Sequence, residues 1–170
     1  MSIEIFKTRR SIKKYKPEQI SEGELDLVLE AATYAPTGRN SQSPLIVAVQ
    51  NPELVKKLSE ANAKVLGMSS DPFYGAPTVV IVFADPAHST GFEDACLVAG
   101  NILNAAHATG LGSCWIHRAR EVFDTELGKA LMREWGVPER YVGVANCILG
   151  YAAEAPATRP RKENYIIKVK

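Results

Sequence analysis

Thr78–Ala84, TVVIVFA, is the stretch from which the fold can be read. It is β-branched and apolar without alternation, so it predicts a central strand covered on both faces. A strand of that kind needs partners in the sheet and layers above and below it. Upstream, the apolar run Leu45–Val49, LIVAV, reads as a short buried strand. Downstream, Leu111–His117, LGSCWIH, and Tyr141–Leu149 supply two more. Helical patterns fill the intervals. Ser21–Ala35 begins with Ser21 and Glu24 at capping-box spacing, places Leu25, Val28, Leu29 and Ala32 on one face, and ends before Pro36. Asn51 and Pro52 open a helix to about Leu66, with Leu54, Leu58, Ala61 and Val65 as its stripe. Phe92–Thr109 is apolar or small around most of its circumference, as suits the middle of a domain or of a dimer, and Gly110 stops it. Phe123–Trp135 is amphipathic and closed by Gly136 and Pro138. Helices and about four core strands interleave, which is an α+β or α/β layout.

The chain has 170 residues, 46% hydrophobic and 23% charged, as expected of one globular domain able to bury roughly 70% of its unfolded surface. No apolar run is long enough to span a bilayer, and MSIEIFKTRRS has no apolar core followed by a cleavage site, so the expected location is the cytoplasm. Cys96, Cys114 and Cys147 are odd in number and lack CxxC spacing, so they read as reduced, buried thiols. His88, His107 and His117 lack HxxxH spacing, so no metal site is expected.

The net charge is only +1, but it is unevenly spread. Lys7–Lys16 carries six basic residues and no acidic one, and Arg159–Lys170 carries five basic and one acidic, which leaves the body at −9. Two short basic ends suit one compact anion better than the broad footprint of a nucleic-acid binder. The anion is not held by a standard nucleotide motif, since GxxxxGK[ST] and a strand-to-helix GxGxxG are both absent, as is the GxSxG of a hydrolase. The loop Pro36–Pro44, PTGRNSQSP, lies between a helix and a core strand and is rich in side-chain amides, a location suited to function. Phe73 and Tyr74 read either as hydrophobic anchors or as a lid over a substrate pocket. Cys114 and His117 form a CxxH, but strand alternation would put them on opposite faces, against a thiol nucleophile. Asn164–Val169 has the β-branched character of an added edge strand, one that another subunit could accept.

Four separated pieces, in order and spacing, resemble the FMN-dependent nitroreductase family. They are Arg9-Arg10-Ser11 followed by Lys13, the PTGRNSQ of Pro36–Gln42, the GLGSCWI of Gly110–Ile116, and the RPRK of Arg159–Lys162. APTVVIVFAD and CILGY are similar to that family as well, so the resemblance covers essentially the whole of 1–170 as a single FMN-binding domain, with 159–170 as a basic C-terminal arm.

The resemblance implies an α+β fold, a three-layer α/β/α sandwich around a mainly antiparallel sheet, in an interlocked homodimer with FMN sites at the interface. It implies that Arg9, Arg10 and Ser11 meet the ribityl chain and phosphate, that Lys13 reaches the pyrimidine end of the ring, and that Arg159 and Arg161 close on the phosphate. Pro36, Thr37 and Asn40 would reach across from the other subunit, the amides of Asn40 and Gln42 are suited to read a flavin edge, and Ser113, Cys114, Trp115 and Ile116 would lie along the flavin. The reaction implied is a two-step exchange in which NADH or NADPH reduces FMN and the flavin then reduces a nitro-aromatic, quinone or related small molecule. No catalytic side chain is needed, because the chemistry is on the flavin N5. Arg39, Phe73, Tyr74 and His117 are candidates for the substrate pocket. Two departures from the family pattern bear on that pocket: Gln42 is followed by Ser43-Pro44-Leu45 rather than Pro-Trp, and His117 stands where glycine is common. A flavin-binding member with another reaction, or a non-catalytic flavin- or acidic-partner-binding module, is the alternative.

Overall fold

The computed structural model describes residues 3–170. Four strands form one sheet: β1 (Leu45–Val49), β2 (Thr78–Ala84), β3 (Gly112–Ile116) and β4 (Val142–Gly150). Their order is β1-β2-β4-β3 and every neighbouring pair is antiparallel. β2 is buried along its whole length, and its pleat divides the core. Val80, Val82 and Ala84 pack with α2 (Glu22–Thr33) and α4 (Gly91–Ala108). Val79, Ile81 and Phe83 pack on the opposite face with α3 (Pro52–Leu66), α5 (Ala119–Phe123) and α6 (Glu126–Glu134). An apolar run without alternation is therefore what a middle layer requires, since both faces of each pleat are dry. A short first helix, α1 (Glu4–Thr8), rests against α4.

Local chemistry sets the helix ends. Ser21 and Glu24 close the expected capping box at the start of α2, and Asn51 caps α3, its side chain accepting from the Leu54 amide at 3.1 Å. Beyond α4, Gly110 turns left-handed at φ 84° and the Leu111 amide reaches back to the Ala106 carbonyl at 2.7 Å.

Several expectations are corrected. The single helix over Phe123–Trp135 is two, broken at Asp124 and Thr125. Thr125 caps α6 by accepting from Gly128, and a Cβ on Gly128 would sit 2.3 Å from the Val122 carbonyl oxygen, so the two helices meet too closely to be one rod. The buried face of α3 is turned by about a residue: Val55, Leu58, Ser59 and Asn62 are buried, whereas Leu54, Ala61 and Val65 are half-buried. β1 is an edge strand with only Val49 fully buried. Helix α4 is not covered all round in the single chain, because Phe92 and Leu97 are exposed. So are Ile3 and Phe6 beside α4, and Leu27 on α2. The three thiols are free, but Cys96 is only half-buried. Asn164–Val169 forms no strand among the described residues, and Tyr165, Ile166, Ile167 and Val169 are largely exposed.

An ion pair between the buried Asp85 and the exposed Arg140 anchors the end of β2. Asp85 accepts two bonds from the Arg140 guanidinium, at 3.0 and 2.8 Å, and one from the Ala87 amide at 3.0 Å. The Arg140 bonds, helped by the Ala87 amide, hold the Asp85 carboxyl down to about 2 from its ordinary 3.8. A depressed carboxyl contributes stability that is complete above the unfolded-state value and lost as pH falls through the folded one. Thermal melts should therefore show an acid-side loss between about pH 4 and 2 that Asp85→Asn reduces. An unchanged acid limb in the variant would assign that loss to other groups.

Candidate functional site

The basic N-terminal stretch, read as an anion site, is tied into the sheet from two sides. Ser11 bridges Ser113 on β3, with the Ile12 amide donating to the Ser113 carbonyl at 3.0 Å. Tyr15 bridges Ala152 just past β4. The chain between them is thereby laid along the β3 edge, and a cleft of about 530 Å³ opens beside it. Its walls include Ser11, Lys13, Tyr74, Cys114, Trp115, Ile116 and His117, so seven expected site residues meet in one place. Ser113 is buried directly behind them.

Arg9 is the unusual member. It caps the end of α1, and its Nη1 is buried with no hydrogen-bond partner among the described residues. An orphaned guanidinium N–H costs about 1 to 3 kcal/mol unless something accepts from it. Arg10 is already partnered: its guanidinium donates to the carbonyls of Lys7 and Arg9, and to Thr158 Oγ1 at 2.6 Å. This last bond draws the C-terminal arm to the basic stretch. Arg159 and Arg161 follow it and are exposed, with Arg161 donating to the Arg159 carbonyl.

Burial pushes the Cys114 thiol up, although a Ser11 hydrogen bond and the charges of Lys13 and Arg9 pull the other way. The thiol is thus protonated at neutral pH, which leaves no thiolate nucleophile. Cys114 and His117 do share the cleft, contrary to the alternation expected, because β3 ends at Ile116 and strand alternation does not extend to His117.

The loop carrying Pro36, Thr37, Arg39, Asn40 and Gln42 lies elsewhere. Asp94 in the first turn of α4 accepts from the Gly38 amide at 2.9 Å and from Thr90 Oγ1 at 3.1 Å, which pins the loop to that end of the helix. Thr8, next to Arg9, instead meets His107 in the last turn of α4, at 2.8 Å. The two groups are separated within one chain by about 20 Å of helix, at 1.5 Å per residue. Arg39, placed in the substrate pocket from sequence, is exposed and does not line the cleft of its own chain. Phe73 is corrected: it is 1% exposed and belongs to the core, where it borders a separate apolar cavity of about 610 Å³. Tyr74 alone of that pair faces the cleft.

Backbone strain marks the same regions. Arg39, Asn40 and Gln42 are left-handed at φ 54°, 53° and 49°, Tyr74 at 54°, and Arg118, next to His117, at 79°. Non-glycine residues pay for this conformation and tend to occur where function requires it.

The family model described as the nitroreductase family matches residues 6–67 and 66–151. This chain belongs to the nitroreductase family. A relative in Methanothermobacter thermautotrophicus, whose name proposes an NADH dehydrogenase/NAD(P)H nitroreductase, is 33% identical over 92% of this chain and 80% of its own. A crystal structure of a nitroreductase with bound FMN from Bacteroides fragilis superposes with a TM-score of 0.89 at 31% identity, over 99% of this chain and 98% of that one. A second FMN-bound nitroreductase, from Desulfitobacterium hafniense, gives 0.88 at 25% identity, over 99% and 97%.

The expected nitroreductase sandwich is what the sheet and its two helical layers form. Part of the cleft was not legible in sequence. Leu66, Met68, Ser70, Asp71 and Pro72 complete its wall from the connection after α3. The one usable sign was Asp71, a residue type that organises turns. It accepts from Ser59, from the Phe73 amide at 2.8 Å and from the Gly75 amide at 2.6 Å, which holds Tyr74 in its strained position.

Proposed function

We propose that this nitroreductase-family protein is an NAD(P)H-dependent FMN oxidoreductase in which residues 1–170 make one flavin-binding domain. The observation that carries the reading is the buried, unpartnered Arg9 Nη1 beside a cleft lined by Ser11 and Lys13. FMN fits that donor set: its phosphate would accept from Arg9, Ser11 and, through the arm, Arg159 and Arg161, each charge-assisted bond contributing about 1.5 to 3 kcal/mol. Its ring would lie along Cys114–Ile116, with the Lys13 ammonium at one edge. When bound, FMN supplies hydride transfer from NAD(P)H and two-electron reduction of an acceptor. The chain's own part is binding and electrostatics. Lys13 keeps positive charge where a reduced ring needs it, and the protonated Cys114 presents a neutral wall. Tyr74 and His117 border the open side, where a nitro-aromatic or quinone acceptor would stack.

The working form in this reading is a cytoplasmic homodimer. The loop 36–42 lies too far from Arg9 of its own chain, so Pro36, Thr37, Asn40 and Gln42 would serve the flavin of the other protomer. The exposed apolar residues of α1, α2 and α4 are the surface that such a partner would cover. Asn164–Val169 would pair with the open edge of the partner's β1.

Purified protein should carry FMN and oxidise NADH or NADPH with nitro, quinone or flavin acceptors, giving parallel initial-rate lines for a two-step exchange. Colourless protein that gains no stability from added FMN would sink the proposal. Sedimentation should give a dimer, and removal of residues 164–170 should shift it toward monomer. A dimer indifferent to that truncation would remove the added strand.

A further inference from the structure

We infer that Glu154 is a positioning residue for Lys13, fixing the main chain from which the Lys13 ammonium reaches the cleft. The inference rests on the FMN site proposed above. After β4 ends at Gly150, the chain runs antiparallel to the basic stretch. The Lys16 amide donates to the Tyr151 carbonyl and the Ala153 amide to the Lys14 carbonyl, both at 2.9 Å. Backbone pairing stops there. At the next position the half-buried Glu154 carboxylate takes the place of a carbonyl, its Oε1 accepting from the Lys13 amide at 2.5 Å. From that anchor the Lys13 side chain extends over the Tyr74 ring, Nζ 5.5 Å from its centroid, at the wall of the cleft.

The geometry has a mechanical reason. Main-chain pairing alone would leave the Lys13 amide to solvent at the point where the strand leaves its neighbour, and a frayed end would let the lysine swing out. A carboxylate is the strongest acceptor a side chain can offer to an amide. Its charge also faces a stretch with six basic residues and no acidic one from Lys7 to Lys16. Nearby, Tyr15 Oη donates to the Ile12 carbonyl at 2.8 Å, and burial, with added repulsion from Cys114 and Glu154, keeps that phenol un-ionised.

The test uses the full-length protein with Glu154→Ala, Glu154→Gln, Lys13→Ala and the Glu154→Ala/Lys13→Ala pair. Glu154→Ala should speed amide exchange at Lys13, weaken FMN about tenfold and lower the midpoint potential of bound FMN, since the ammonium drifts from the ring. Glu154→Gln keeps an acceptor oxygen and should restore all three. In the Lys13→Ala background Glu154→Ala should change FMN affinity by less than about twofold, the pattern of a residue acting through another. Parent-like exchange, affinity and potential in Glu154→Ala would overturn the assignment, as would an undiminished loss in the Lys13→Ala background. A parent protein that takes up no FMN would overturn the function proposed above and this role with it, an outcome distinct from the failure of Glu154 alone.

Discussion

Arg9→Ala should weaken FMN binding by about ten- to a hundredfold, the loss of a charge-assisted bond of roughly 1.5 to 3 kcal/mol. The unliganded protein should not be destabilised by the same change. Arg9 Nη1 is buried without a partner, so in the absence of an anion the guanidinium is a cost to the fold rather than a support. Lys16→Ala provides the contrast. Lys16 is exposed and belongs to the same basic run, so it contributes to the general field and should change affinity by less than about threefold. Fluorescence titration with FMN, paired with melts of the flavin-free protein, separates the two effects. Equal losses for Arg9→Ala and Lys16→Ala would reduce the stretch to a diffuse field, and a destabilised apo protein with unchanged FMN affinity would make Arg9 structural.

Phe83→Ala is expected to cost about 3 to 5 kcal/mol of stability, the range for deleting a buried aromatic ring. Phe83 is fully buried, and its ring meets Phe123 edge-on at 4.8 Å, with Trp135 beyond at 6.0 Å from Phe123. The cavity would open between β2, α5 and the end of α6, where these three rings meet. Denaturant unfolding measures the loss directly, and a value below about 1 kcal/mol would mean that the layer collapses to fill the space. FMN affinity of the folded fraction should hold, because Ser11, Lys13 and Cys114 lie along β3, which β4 separates from the strand that carries Phe83.

Much of the fold was written locally. The unbroken buried run of β2, the Ser21–Glu24 box and the turn at Gly110 each act through neighbours within a few residues, and each formed as read. What failed was the reach of a pattern. Phe123–Trp135 keeps helical periodicity throughout, yet it breaks because Gly128 must approach Val122, a contact that periodicity does not encode. Phe73 and Tyr74 are adjacent aromatics with the same propensity, and only the Asp71 turn decides that one enters the core while the other faces the cleft. The site divides in the same way. Ser11, Lys13 and Cys114–His117 were legible as residue types, but Leu66, Met68 and Glu154 carried no chemical mark of their own.

The sequence by itself determined the character of the sheet, with a strand dry on both faces, and the presence of a basic cluster at Lys7–Lys16, because hydrophobic period and charge are properties of short segments. Only the tertiary structure decided the order β1-β2-β4-β3 and the meeting of Ser11 with Ser113. It also decided that the loop 36–42 and Arg9 stand at opposite ends of α4. Those are relations between segments far apart in the chain, set by which surfaces close on one another, and no local pattern contains them.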